Sequence, residues 1–200
     1  MQIKSFLAGA ALALLSLNAA QAAVITIHAD QDASVGDGVS NAWNVGYRWV
    51  GTNIMGSYIS LFGFDLGSLQ GKKISSVDFS AFHNFTNGDG NIGAAFGLDN
   101  TWKASTITAY SEIGPVLTTN AASKATVNSY QTWKLGKPVV IDGRVTVVLD
   151  GEGWNDYAPV FSGNSAYLTV TYAEVPEPAT LGLLGLGVAG LAAARRRKPA

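Results

Sequence analysis

Apolar and polar residues alternate with a period of two along much of the middle of this chain, as in strands that bury one face and wet the other. Residues 143–150 send Val145, Val147 and Leu149 to one side, with Arg144 and Thr146 opposite. Residues 166–172 repeat the pattern with Leu168 and Val170 inward. Val77, Phe79, Ala81, His83 and Phe85 form a third stripe against Asp78, Ser80 and Asn84. Shorter strands are predicted over 24–28, 58–64, 92–98, 106–110, 132–135 and 139–141. No interior stretch repeats apolar residues at three and four over a helical length. Turn clusters such as Asn87-Gly88-Asp89-Gly90-Asn91 and Asp150-Gly151-Glu152-Gly153 punctuate the strands. Many short strands with regular turns, each wet on one side, predict an all-β domain. The expected architecture is an antiparallel β-sandwich of jelly-roll type.

Both ends break this period. Met1 to Ser5 carries one early charge, Lys4, followed by an apolar run from Phe6 to Leu17 and the small-residue site Ala20-Gln21-Ala22-Ala23. These are the three parts of a secretory signal, with cleavage by signal peptidase after Ala22. The rival reading, a helix of the mature domain, lacks a polar face at helical spacing. At the other end Val175-Pro176-Glu177-Pro178 precedes an uncharged run from Leu181 to Ala194 and then Arg195-Arg196-Arg197-Lys198. The prolines hold an extended strip, and the glycines of the run suit a hydrophobic helix in lipid better than one in water. The basic cluster should stay cytoplasmic and place the preceding domain outside the inner membrane. Three segments are therefore expected: a signal peptide over 1–22, a β domain over 23–173 and a sorting tail over 174–200.

The order Pro-Glu-Pro, short Gly/Leu/Ala run, arginine cluster resembles the PEP-CTERM sorting signal of Gram-negative bacteria, a tail also labelled an ice-binding-protein C-terminal domain. The resemblance implies processing by exosortase, an integral-membrane cysteine transpeptidase. It makes Pro176, Glu177 and Pro178 the recognition residues and Arg195, Arg196 and Arg197 the retention signal. A second resemblance covers most of the interior. Ile27 to Ala33 with Trp43-Asn44-Val45-Gly46, Ser60 to Leu69, Asp99 to Tyr110, and Phe161-Ser162-Gly163 with Leu168 to Tyr172 are similar to landmarks of DNRLRE-type domains. The chain departs from them in having Gly63 before Phe64 and Gly163-Asn164 after Phe161-Ser162. This resemblance implies a jelly-roll module of a surface protein, and some related modules bind carbohydrate.

Composition narrows the functional classes. Charged residues make up 14% and net charge is −1, so there is no basic footprint for nucleic acid. The chain has no cysteine, which excludes disulfides and thiolate metal sites. It has two histidines: His83 lies on an apolar stripe, where a hydrogen-bonded core role is expected, and His28 ends the first strand. The carboxylates Asp65, Asp99, Asp150, Glu152 and Asp156 are scattered, and no Ser/His or paired-carboxylate constellation stands out, so no catalytic residue is assigned. Asp30 and Asp32, at alternate positions, are the candidate ligands of a structural calcium, against the reading that they form turns. Trp154, Asn155, Asp156 and Tyr157, set in a Gly-rich loop, are the candidate carbohydrate site, because sugar rings stack on aromatics while amides and carboxylates bind hydroxyls. Core packing by the same aromatics is the rival reading. The function expected is that of an exported, non-enzymatic surface or matrix protein associated with exopolysaccharide. A carbohydrate-binding module is the alternative and a polysaccharide-active enzyme the third possibility.

Overall fold

The computed structural model describes residues 22–36, 46–53, 56–87, 91–98, 100–107, 120–123, 126–138 and 143–173. Residues 1–21 of the expected signal peptide, the C-terminal hydrophobic helix and the strand at 139–141 lie outside these residues. So do most of the strand expected at 106–110 and the Gly88–Gly90 turn. The described residues form eleven strands: β1 (Ala22–His28), β2 (Gln31–Gly36), β3 (Arg48–Asn53), β4 (Gly56–Asp65), β5 (Lys73–Asn87), β6 (Ile92–Phe96), β7 (Asn120–Ser123), β8 (Ser129–Gly136), β9 (Arg144–Gly151), β10 (Trp154–Tyr157) and β11 (Tyr167–Ala173). One 3-10 turn, Gly67–Leu69, joins β4 to β5. No helix among the described residues is long and apolar enough to cross a membrane. Residues Ala23–Tyr172 form one compact unit.

The fold is an all-β, antiparallel sheet that curls on itself. Its hydrogen-bonded path runs β1-β11-β5-β10-β3-β4-β9-β6-β7, with β2 on β4 and β8 on β5. Two long strands organise it. β4 pairs along one edge with β9, from Ser60↔Leu149 to Asp65↔Arg144. Its other edge pairs with β2 (Gly36↔Tyr58 to Gln31↔Gly63), while β3 (Gly51↔Tyr58 to Asn53↔Gly56) pairs with the start of β4, so Tyr58 has a partner on each side. β5 pairs with β8 from Val77↔Gly136 to His83↔Ser129, and its far end with β10. The short β10 also pairs with β3, so the halves built on β4 and β5 are hydrogen-bonded to each other at this corner.

The apolar stripes meet between those halves. Phe62 and Phe64 of β4 pack on Phe79 of β5 at ring distances of 5.4 and 6.0 Å, and Phe79 stacks on Trp133 of β8 at 5.6 Å. Val145, Val147, Leu149, Leu168 and Val170 join the same core. Each such side chain stabilises the fold by about 1.5–3 kcal/mol relative to exposure. Trp133 Nε1 donates to the carbonyl of Ile92 at 2.9 Å, satisfying the indole and tying β8 to β6.

The polar face expected of β9 is also covered. Val148 packs with Ala33, Val35, Ile59, Leu61, Trp102 and Ile107 in a second cluster, and Thr146 is buried beside them. Its hydroxyl accepts the indole N–H of Trp102 at 2.8 Å. β4 and β9 are therefore buried on both sides.

Candidate functional site

Asp30 and Asp32, the candidate calcium ligands, are each paired with an arginine. Asp30 leaves β1 at a bend and accepts two hydrogen bonds from Arg144, at 2.8 and 2.6 Å. Asp32 sits in β2, 4% exposed, and accepts from Arg48 Nη2 at 2.6 Å and from the Val160 backbone N–H at 2.6 Å. Each carboxylate already holds a guanidinium. Arg48 is itself fully buried, with Phe161 over its guanidinium at 5.7 Å. Burial pushes the Asp32 carboxyl above its ordinary range, although the arginine pulls the other way. Among the described residues no group of three or more His, Cys, Asp and Glu is arranged to hold a metal.

A cleft of about 330 Å³ opens beside the Asp30–Arg144 pair, lined also by Gln31, Trp102 and Lys103. Gln31 crosses it with both ends of its amide committed: Nε2 donates to the Trp102 carbonyl at 3.0 Å, and Oε1 accepts from the Ala104 N–H at 3.3 Å. This fastens the Trp102 loop over the second cluster. His28, exposed at the end of β1, is bonded to Ser165 at 3.2 Å.

Residues 154–157 are a strand rather than a loop, and its alternation divides the four candidate sugar residues between two faces. Asn155 and Tyr157 face inward. Asn155 is bonded to the buried His83 at 3.2 Å, and burial lowers the affinity of that imidazole for a proton. Tyr157 is fully buried against His83 and Trp133, donating its hydroxyl to Gln131 at 2.8 Å; burial pushes the phenol far up. A buried tyrosine cannot act as a stacking platform. Trp154 and Asp156 face outward, both half-buried.

The register supplies their neighbours. Asp156 lies opposite Trp49 of β3 on one side and Phe85 of β5 on the other. Directly opposed residues share a face and stand about 5 Å apart. Phe85 reaches this row because the pairing shifts between Asp156 and Tyr157: Tyr157 opposes His83, Asp156 opposes Phe85, and Asn84 is the extra residue. The inward stripe therefore ends at His83, and Phe85 is 48% exposed. Trp49, Tyr58 and Trp154 form a ring cluster at 5.3, 5.7 and 5.6 Å, with Tyr58 edge-on to Trp154. Two glycines allow this corner: a Cβ at Gly51, φ +100°, would lie 1.5 Å from the Gly153 carbonyl oxygen.

Oδ1 of the Asp156 carboxyl is buried and has no hydrogen-bond partner among the described residues. With water removed and no donor supplied there, the carboxyl's pKa is pushed up to about 6. The sequence marks Trp154 and Asp156. The sequence places Trp49 in an early group of aromatics with Trp43 and Tyr47, of which Trp43 lies outside the described residues. In sequence Phe85 continues the apolar stripe of β5, and only the bulge, which leaves no local sequence signal, turns it out.

No curated protein matches the chain. The recognisable family signal lies after β11: residues 174–198 match the PEP-CTERM protein-sorting motif, including Pro176, Glu177, Pro178 and Arg195 to Arg197. The chain is thus an exported protein carrying an exosortase sorting signal.

Proposed function

We propose that the protein is a non-enzymatic component of the cell surface or extracellular matrix, released from signal peptidase and exosortase into association with exopolysaccharide. The observation that carries this reading is the sorting motif at 174–198 following a β module that ends its last strand at Ala173. The groups with most chemical potential are committed to holding that module together: Asp32 to Arg48, Asp30 to Arg144, and His83 to Asn155. The test is fractionation of cells with and without their exosortase. The processed protein should appear with surface polysaccharide in the first and remain in the membrane fraction, at higher mass, in the second. An identical distribution in both strains would overturn the reading.

A second reading, carbohydrate binding by the module itself, is favoured by the ring cluster of Trp49, Tyr58 and Trp154 beside the Asp156 carboxyl, whose Oδ1 has no partner among the described residues. It is compatible with the first, because a matrix protein that grips glycan needs no covalent attachment.

A further inference from the structure

We propose that the face where β3, β10 and β5 meet binds an uncharged glycan, with Trp154 and Trp49 as the stacking surface, Phe85 at its rim and Asp156 as the hydroxyl acceptor between them. This rests on the carbohydrate-binding reading above and gives it a site and a ligand class.

Three observations converge. The register sets Trp49, Asp156 and Phe85 in one row across three strands, with Trp154 two residues along β10 on the same side. The rings are held rigidly: Trp154 packs on Trp49 at 5.7 Å and edge-on to the buried Tyr58 at 5.6 Å. Stacking on fixed rings loses little conformational entropy. The Asp156 carboxyl, set between aromatics, holds an oxygen, Oδ1, with no hydrogen-bond partner among the described residues. Buried polar groups are normally satisfied, and one left without a donor in such a setting suits a ligand that brings its own.

A sugar meets both demands. Its C–H face covers an indole, and its equatorial hydroxyls donate to a carboxylate at the ring's edge. A purely apolar protein surface would complete the desolvation of Asp156 without supplying a donor, which is costly. The charge of the row selects among glycans. Trp49, Phe85, Trp154 and Asn87, opposite Trp154, are neutral, so Asp156 is the only charge along it. Arg48, the neighbouring cation in sequence, is buried with Asp32. A uronate would meet a carboxylate with no cation in the row to offset it; a neutral hexose or pentose chain would not.

Affinity electrophoresis of the full-length protein in detergent tests this, using gels containing a β-glucan, xylan or mannan in one set and alginate or polygalacturonate in another. Retardation is expected on at least one uncharged polymer and on neither uronate. Trp154→Ala and Phe85→Ala should each weaken it by about tenfold. Trp154→Phe, which keeps a ring, should retain most of it, and Asp156→Asn should newly admit the uronates. Near-UV circular dichroism shows whether each variant is folded. No retardation of the folded protein by any polymer would end the carbohydrate-binding reading as a whole. Retardation that survives Trp154→Ala in a folded variant, or that favours the uronates, would overturn this site and ligand class while leaving carbohydrate binding in place.

Discussion

Asp32 and Asp156 are both carboxyls drawn out of water, but only one has been given a counter-charge. Asp32 holds Arg48 at 2.6 Å in a site where the arginine is fully buried and Asp32 itself 4% exposed. Asp32→Ala would strand that guanidinium, and a cost of about 3–5 kcal/mol is expected in denaturant unfolding. Replacing both residues with apolar ones of similar volume should recover most of the loss. A single variant with near-wild-type stability would show that the pair carries no such weight. Asp156 behaves oppositely. Its folded pKa, about 6, lies above the ordinary 3.8, so the folded state holds the proton more tightly than the unfolded chain does. Stability from this group is full below about pH 4 and is lost as pH rises through about 6. Asp156→Asn should therefore raise stability at pH 7 by about 1 kcal/mol, after allowance for partial exposure, and change little at pH 3.5. Unfolding midpoints at the two pH values check the sign. The oxygens of Asp30 and Asp32 were legible as a cation-binding pair. Their actual cations stand 114 and 16 residues away, a pairing that local spacing does not encode.

At the scale of elements, alternation announced β5, β9 and β11, and shorter strand segments announced β1, β4, β6 and β8, whose Gln131, Trp133 and Leu135 point inward. The reading failed where a polar residue points in or where turn residues hide a short strand. β2 buries Asp32 and Ser34 along with Ala33 and Val35, so its sequence reads as a turn. β3 starts on the buried Arg48, and the four-residue β10 is hidden by the glycines before it. Two of these missed strands, β3 and β10, build the candidate face together with β5. Gly51 makes a direct test of the corner. At Gly51→Ala the new methyl would collide with the backbone of Gly153, at a φ that already disfavours a side chain, and nothing flexible can yield. A loss above about 2 kcal/mol is expected, together with loss of any glycan binding. Gly71→Ala is the control: φ is +77°, but nothing lies within 4 Å, so only the conformational cost of about 1 kcal/mol should appear. Equal losses at the two positions in thermal unfolding would mean that the β3–β10 contact is not tight.

For the whole molecule, the destination is more legible than the ligand, because an address is read by machinery from a contiguous stretch of chain, whereas a binding face is assembled from three strands. The tail also permits a quantitative argument. Leu181 to Ala194 is 14 residues, and as a helix it would reach about 21 Å, short of the roughly 30 Å hydrocarbon core. A run this short, interrupted by four glycines, inserts weakly, so its orientation and its pause in the membrane should depend on the basic residues that follow. Replacing Arg195, Arg196 and Arg197 together by Gln leaves Lys198 alone to act as the stop. The expected result is a several-fold fall in processed surface protein, with unprocessed chain lost to the periplasm or degraded. Extending the apolar run by five leucines in the same variant should restore membrane retention, but not necessarily processing, because a longer span holds without a charged stop. The two variants together separate anchoring from recognition. If the Gln variant is processed and localised normally in an exosortase-bearing cell, the arginines are not the retention signal, and recognition must rest on Pro176, Glu177 and Pro178 and the apolar run alone.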